Sequence, residues 1–148
     1  MRVSVIGGGV IDRETAATAR AVGRELAERD HTVVCGGLGG VMEAVCEGAH
    51  EAGGETIGIV PGPDREAANE YVDTAIATAM GNARNVLVVL NGDAAIAIDG
   101  STGTLSEIGH ALDFDRPVAG IDTHDIEGVE AVDSAAVAVD HVESAVGE

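Results

Sequence analysis

Thr32-Val33-Val34-Cys35-Gly36-Gly37-Leu38-Gly39-Gly40-Val41-Met42-Glu43 is the stretch on which the fold turns. A short β-branched run stops at paired glycines, and an amphipathic segment begins a few residues later. Such runs suit strands buried on both faces. Helical spacing then resumes over 40–52, and Gly53-Gly54 forms a good stop. The stretch therefore predicts a strand, a glycine turn and a helix.

The same unit recurs along the chain. Arg2 to Ile6 predicts a first strand ending in Gly7-Gly8-Gly9, and Arg13 to Arg29 carries Ala17, Ala21, Val22 and Leu26 on one helical face. Thr56 to Val60 predicts a third strand before Pro61-Gly62-Pro63. The segment 66–80 is ambiguous, with room for a short strand within 71–79. A helix capped by Asn82 is expected to run to Leu90. Ala94 to Ile98 and Val118 to Ile121 read as further buried strands, with a helix over Gly103 to Phe114 between them. Residues 122–148 carry the weakest pattern. Strands alternating with helices imply right-handed crossovers and parallel pairing. The expected fold is α/β, a single Rossmann-like domain over residues 1–148. Its doubly wound, mainly parallel sheet of about six strands has helices on both faces, and its first strand lies centrally.

Composition narrows the function. Apolar residues make up 45% of the chain, yet Tyr71 and Phe114 are the aromatics, so the core must be built from Val, Ile, Leu and Ala. The formal charge is −18, and all eight basic residues are arginine. No basic stripe is available to neutralise phosphate backbones, which argues against nucleic acid and against anionic membrane surfaces. Acidic, lysine-free composition with intact periodicity points to a saline cytosol, where screening lengths fall to roughly 3 Å at 1 M salt. Met1 leads straight into a strand and no long apolar run occurs, so a cytoplasmic protein is expected. Cys35 and Cys46 are read as buried free thiols. The five histidines form no zinc pattern, and no metal site is expected. Dinucleotide, P-loop and nucleophile-elbow motifs are absent.

Ligands of doubly wound sheets sit beyond the carboxyl ends of the strands. Three glycine clusters fall there. Gly7 and Gly8 follow the first strand. Gly36, Gly37, Gly39 and Gly40, with Met42 and Glu43, lead into the second helix, where bare backbone and free N–H groups suit an anion. Asp99-Gly100-Ser101-Thr102-Gly103-Thr104-Leu105-Ser106-Glu107 adds hydroxyls to a phosphate nest. Within it, Thr104 and Glu107 also fit a helix capping box, which would make Glu107 structural. Arg84, beside Asn85, can hold a phosphate or carboxylate; its alternative role is a surface ion pair.

These residues resemble the LOG-like superfamily, formerly called lysine decarboxylase-like. The stretch from Gly36 through Val45, with Gly48-Ala49 and Gly53 to Gly62, is similar to its first signature. Arg84-Asn85 with Asp99 to Glu107 is similar to its second, so the likeness runs from residue 1 to about 121. The superfamily includes the LONELY GUY phosphoribohydrolases and the molybdenum cofactor carriers, and the chain is most similar to the short, carrier-containing branch. Glu107 and Arg84 match the hydrolases' catalytic glutamate and active-site arginine. Asp99 and Ser101 depart from P-G-G-x-G-T-x-x-E, and Asn85 replaces the lysine of R-K. These changes alter the loop that holds the ribose phosphate, and a carboxylate at Asp99 would repel it.

The resemblance implies a binding protein or carrier for a phosphorylated, nucleotide-like molecule such as the molybdenum cofactor, with no cofactor required for itself. The alternatives are a nucleoside 5'-monophosphate phosphoribohydrolase using Glu107 and Arg84, and a nucleotide-sensing regulatory domain. It also implies a homo-oligomer, a dimer or a tetramer.

Overall fold

The computed structural model describes residues 1–147. Its strands are β1 (Arg2–Gly7), β2 (Thr32–Cys35), β3 (Thr56–Val60), β4 (Thr74–Ala77), β5 (Ala94–Ile98), β6 (Val118–Ile121) and β7 (Val129–Ala131). Its α-helices are α1 (Arg13–Glu28), α2 (Val41–Glu51), α3 (Asn85–Leu90), α4 (Thr102–Asp113) and α5 (Ala135–Gly147), with short 3-10 turns at Arg65–Ala67 and Gly81–Arg84.

The described strands form one sheet in the order β4-β3-β2-β1-β5-β6-β7, every pairing parallel. This is the expected Rossmann-like α/β architecture. β1 is central, and the winding direction reverses between β1 and β5. Such a switch point opens a crevice at the carboxyl ends of the strands.

Period-2 alternation sorts the strand side chains into two cores. Val3 and Val5 of β1, with Ala94, Ile96 and Ile98 of β5, pack under α1, α2 and α5. Ile6 of β1, with Ala95 and Ala97 of β5, packs under α3 and α4. Ser4 faces the second core and is satisfied there, donating its hydroxyl to the Val88 carbonyl at 2.7 Å. Asp12 caps α1 by accepting the Thr15 N–H at 2.8 Å. Cys35 and Cys46 are free and buried, their sulfurs 3.5 Å apart between β2 and α2.

The ambiguous segment does hold a short strand within 71–79: β4, an edge strand with an exposed Ile76. Several other expectations need correction. The weakly patterned end contains β7 and α5, so the sheet has one strand more than the six or so expected. α5 is anchored by ions as well as by its apolar face: Arg29 bonds Asp140 at 2.7 Å and Glu143 at 3.0 Å, and His31 meets Glu143 at 2.7 Å. These partners are more than a hundred residues apart, which local periodicity does not register. Asn82 does not cap a helix; it sits inside a 3-10 turn, and α3 starts at Asn85 without a side-chain cap. The capping box is also absent. The cap of α4 is Ser101, so Thr104 and Glu107 lie inside the helix, both buried. Gly100, at φ +116°, turns the chain early enough for the helix to begin ahead of Thr104.

Candidate functional site

A cleft of about 230 Å³ opens at the switch point. One wall is the β1 end, Val5 to Gly9; another is Gly36, Leu38 and Met42 after β2. Ser101, Gly103, Thr104 and Glu107 of α4 face them, with Asn82, Arg84 and Asn85 completing the lining. Six polar side chains are buried among the described residues: Ser4, Thr56, Arg84, Asn85, Thr104 and Glu107. The last four all line this cleft, so the fold concentrates its costly burial there.

Arg84 is no surface cation. It is 6% exposed and points inward from the 3-10 turn. Its Nε donates to the Ile59 carbonyl at 2.9 Å, its Nη2 to the Gly36 carbonyl at 3.3 Å, and its Nη1 to Asn85 Oδ1. Asn85 passes the chain of bonds on: its Nδ2 reaches Ser106 Oγ at 3.4 Å, and Ser106 donates to the Gly103 carbonyl at 2.7 Å. Both sides of the cleft are thereby tied together.

Glu107 is 8% exposed and accepts no hydrogen bond among the described residues. Burial pushes its carboxyl up to about 7, against the opposing pull of Arg84. Burial likewise pulls the guanidinium down from its ordinary value, opposed by Glu107. For each partner, loss of water outweighs the attraction of the other. A carboxyl held in this way exists in both protonation states near neutral pH, so it can give or take a proton.

The N-terminus of α4 supplies the opposite character. Ser101 makes no side-chain cap, and the N–H groups of Thr102, Gly103 and Thr104 find no acceptor among the described residues. They carry the positive end of a 12-residue helix, an arrangement suited to an anion.

The anticipated site residues divide. Gly7, Gly8, Gly36, Met42, Arg84, Asn85, Ser101, Gly103, Thr104 and Glu107 line the cleft. Gly37, Gly39, Gly40, Glu43, Gly100 and Thr102 do not. Gly37 turns beneath the cleft against Val60 and Gly58. Gly40, at φ +66°, lies against the backbone of Gly8 and Gly9, and the Val41 N–H donates to the Gly8 carbonyl at 3.0 Å; it brings two loops together. Glu43 lines a separate hollow with Arg20. Asp99 does not line the cleft; it lines a hollow shared with Asp12, Glu14 and Asp122, while its carboxylate stands beside Gly8, where a Cβ would lie 3.4 Å from Oδ2. Leu38, Asn82, Val5, Ile6 and Gly9 line the cleft without having been anticipated. The triplet Gly7-Gly8-Gly9 was a signal for Gly9; Leu38 and Asn82 carry none in their local pattern. Among the described residues no cluster of His, Cys, Asp and Glu could hold a metal ion, and no helix is long and apolar enough to cross a membrane.

A parallel, doubly wound sheet with this polar cleft at its switch point defines an α/β protein of the Rossmann type. The chain belongs to the SLOG cluster4 family, whose profile matches residues 1–146. A protein of Archaeoglobus fulgidus is 45% identical over 121 residues, covering 82% of this chain and 80% of the relative. The cytokinin riboside 5'-monophosphate phosphoribohydrolase of Arabidopsis thaliana is 36% identical over 93 residues, or 61% of this chain and 41% of that enzyme. Among solved structures, the molybdenum cofactor binding protein of Rippkaea orientalis superposes with a TM-score of 0.92 at 31% identity, covering 98% of this chain and 96% of its own. The molybdenum cofactor carrier protein of Chlamydomonas reinhardtii gives 0.91 at 28% identity, with 99% and 98% covered. The chain thus falls with the carrier-like branch of the superfamily.

Proposed function

We propose that the protein binds and carries a phosphorylated, nucleotide-like small molecule, the molybdenum cofactor being the leading candidate. The observation that carries this reading is the bare N-terminus of α4 opening on the cleft. Its three unpaired N–H groups would take the phosphate, and Gly7 to Gly9 would let the ligand approach the backbone. Arg84 commits three of its five N–H donors to Ile59, Gly36 and Asn85, which fixes it in the cleft wall and leaves one on each Nη for a ligand. The near-complete overlap with carrier structures supports the same reading.

A specific observation favours a second reading, phosphoribohydrolase activity. Glu107 and Arg84 are together in the cleft, and Glu107 is held near 7, where a general acid or base works best. One experiment separates the two. Protein purified gently at high salt is examined by native mass spectrometry, and overnight reactions with nucleoside 5'-monophosphates are chromatographed for free base. A co-purified phosphorylated molecule with no base release supports the carrier. Base release by wild type, abolished in Glu107→Gln and Arg84→Ala, replaces it with the hydrolase. A closed dimer or tetramer, and adaptation to saline cytosol, complete the proposal.

A further inference from the structure

The loop joining β5 to α4 holds two successive residues in the left-handed region, Asp99 at φ +54° and Gly100 at φ +116°. Two side chains bond this loop from outside it. Thr123 Oγ1 donates to the Asp99 carbonyl at 2.6 Å, and His124 Nε2 donates to the Ser101 carbonyl at 3.0 Å. Both come from the segment after β6, the neighbour of β5 on the side away from β1. Among the described residues, no other side chain bonds the backbone of residues 99–101.

The same stretch is also tied by its backbone: the Asp99 N–H donates to the Ile121 carbonyl at 3.1 Å, and the Ser101 carbonyl accepts the Leu105 N–H of α4 at 3.0 Å. Ser101 and Gly103 line the cleft. We infer that Thr123 and His124 are positioning residues: they hold the β5–α4 loop so that Ser101 and Gly103 keep their places in the cleft wall. The ligand half of this inference rests on the reading of the cleft as a phosphate site.

The test uses full-length Thr123→Val, His124→Ala and the double variant, with Thr123→Ser and His124→Gln as conservative partners that keep a donor. Hydrogen exchange at Asp99 and Leu105, whose amides bond the Ile121 and Ser101 carbonyls at 3.1 and 3.0 Å, reports the clamp in ligand-free protein. Titration with adenosine monophosphate, and with adenosine as the phosphate-free probe, reports the consequence. The expected result is faster exchange at both amides in the double variant, about tenfold weaker adenosine monophosphate binding, unchanged adenosine binding and recovery in the conservative variants. Unchanged exchange overturns the clamp. Faster exchange with undiminished adenosine monophosphate affinity overturns the positioning role. Failure of wild type to bind the monophosphate overturns the phosphate reading of the cleft and the ligand half of the inference with it. That failure shows before any variant is compared, and the exchange data still decide the clamp.

Discussion

Arg84 donates from Nη2 to the carbonyl of Gly36 over 3.3 Å, and it can do so because Gly36 carries no side chain. A Cβ built on Gly36 would stand 2.9 Å from that same nitrogen and 2.7 Å from Met42 Sδ. The glycine therefore keeps a place for the arginine inside the cleft, across 48 residues of sequence. This is a close-approach role, separate from any turn.

Gly36→Ala should accordingly destabilise the fold by about 1–3 kcal/mol, the usual cost of overpacking a tight site. Both clashing atoms are the far ends of flexible side chains, so the protein should still fold. Adding Met42→Ala should return part of the loss by freeing one of the two contacts. Urea unfolding of the three proteins checks this, and equal midpoints for wild type and Gly36→Ala would contradict it.

Glu107 should make stability fall as pH rises. Its folded value, about 7, lies above its ordinary 4.5, so the fold favours the protonated carboxyl. The contribution is complete below pH 4.5 and lost as pH climbs to about 7, for a total of about 3 kcal/mol from the size of the displacement. Many other carboxylates titrate nearby, so the readout is the difference between wild type and Glu107→Gln. That difference should favour the variant increasingly from pH 4.5 to 7.5 and then level off. A difference independent of pH would show that Glu107 is not held in its raised state.

Gly103 offers a substitution that should spare the fold and close the cleft. A Cβ there would meet only Asn85 Nδ2, at 3.8 Å, an ordinary contact. Gly103→Val should change stability by less than about 1 kcal/mol. Its branched side chain would occupy the cleft in front of the α4 N-terminus and weaken binding of a phosphorylated probe by about tenfold or more. Isothermal titration beside a thermal melt checks both halves. A folded variant with wild-type affinity would remove this loop from the site.

Salt should raise the melting midpoint by several degrees between dilute buffer and molar KCl. With 26 acidic residues against 8 basic ones, self-repulsion is strong when unscreened. The ion pairs that fasten α5, from Arg29 to Asp140 and Glu143, pull the other way, since screening weakens exposed pairs. The net charge should prevail. Equal midpoints would mean that the acidic surface is not an adaptation to salt.

Much of the architecture was legible in the chain. Val3, Val5 and Ile6, or Val33 and Val34, could only be buried strand residues, and the glycines after them could only be turns. The stretch from Asp99 to Glu107 was legible as a loop leading into a helix, and Ser101, Gly103, Thr104 and Glu107 were anticipated where they line the cleft; the capping-box alternative is what failed. Thr104 and Glu107 satisfy a capping-box pattern by spacing, and that pattern has no means of reporting that Gly100 starts the helix earlier. Arg84 was anticipated in the site and lies there; its alternative, a surface ion pair suggested by the acidic chain, fails because composition describes the average surroundings of a residue and not its own.

What the sequence by itself determined was the alternation of strand and helix, the parallel sheet and the end of the sheet at which a cleft must open. Those follow from periods of two and about 3.6 residues and from glycine's freedom, all of them properties of neighbours along the chain. Tertiary structure alone decided that Arg84 bonds Ile59 and Gly36, that Glu107 loses its water beside it, that the Asp99 carboxylate stands beside Gly8, and that Thr123 and His124 bond the loop. Each of these is a contact between segments brought together only when the sheet closes, and no local pattern encodes which atoms will then be within 3 Å of one another.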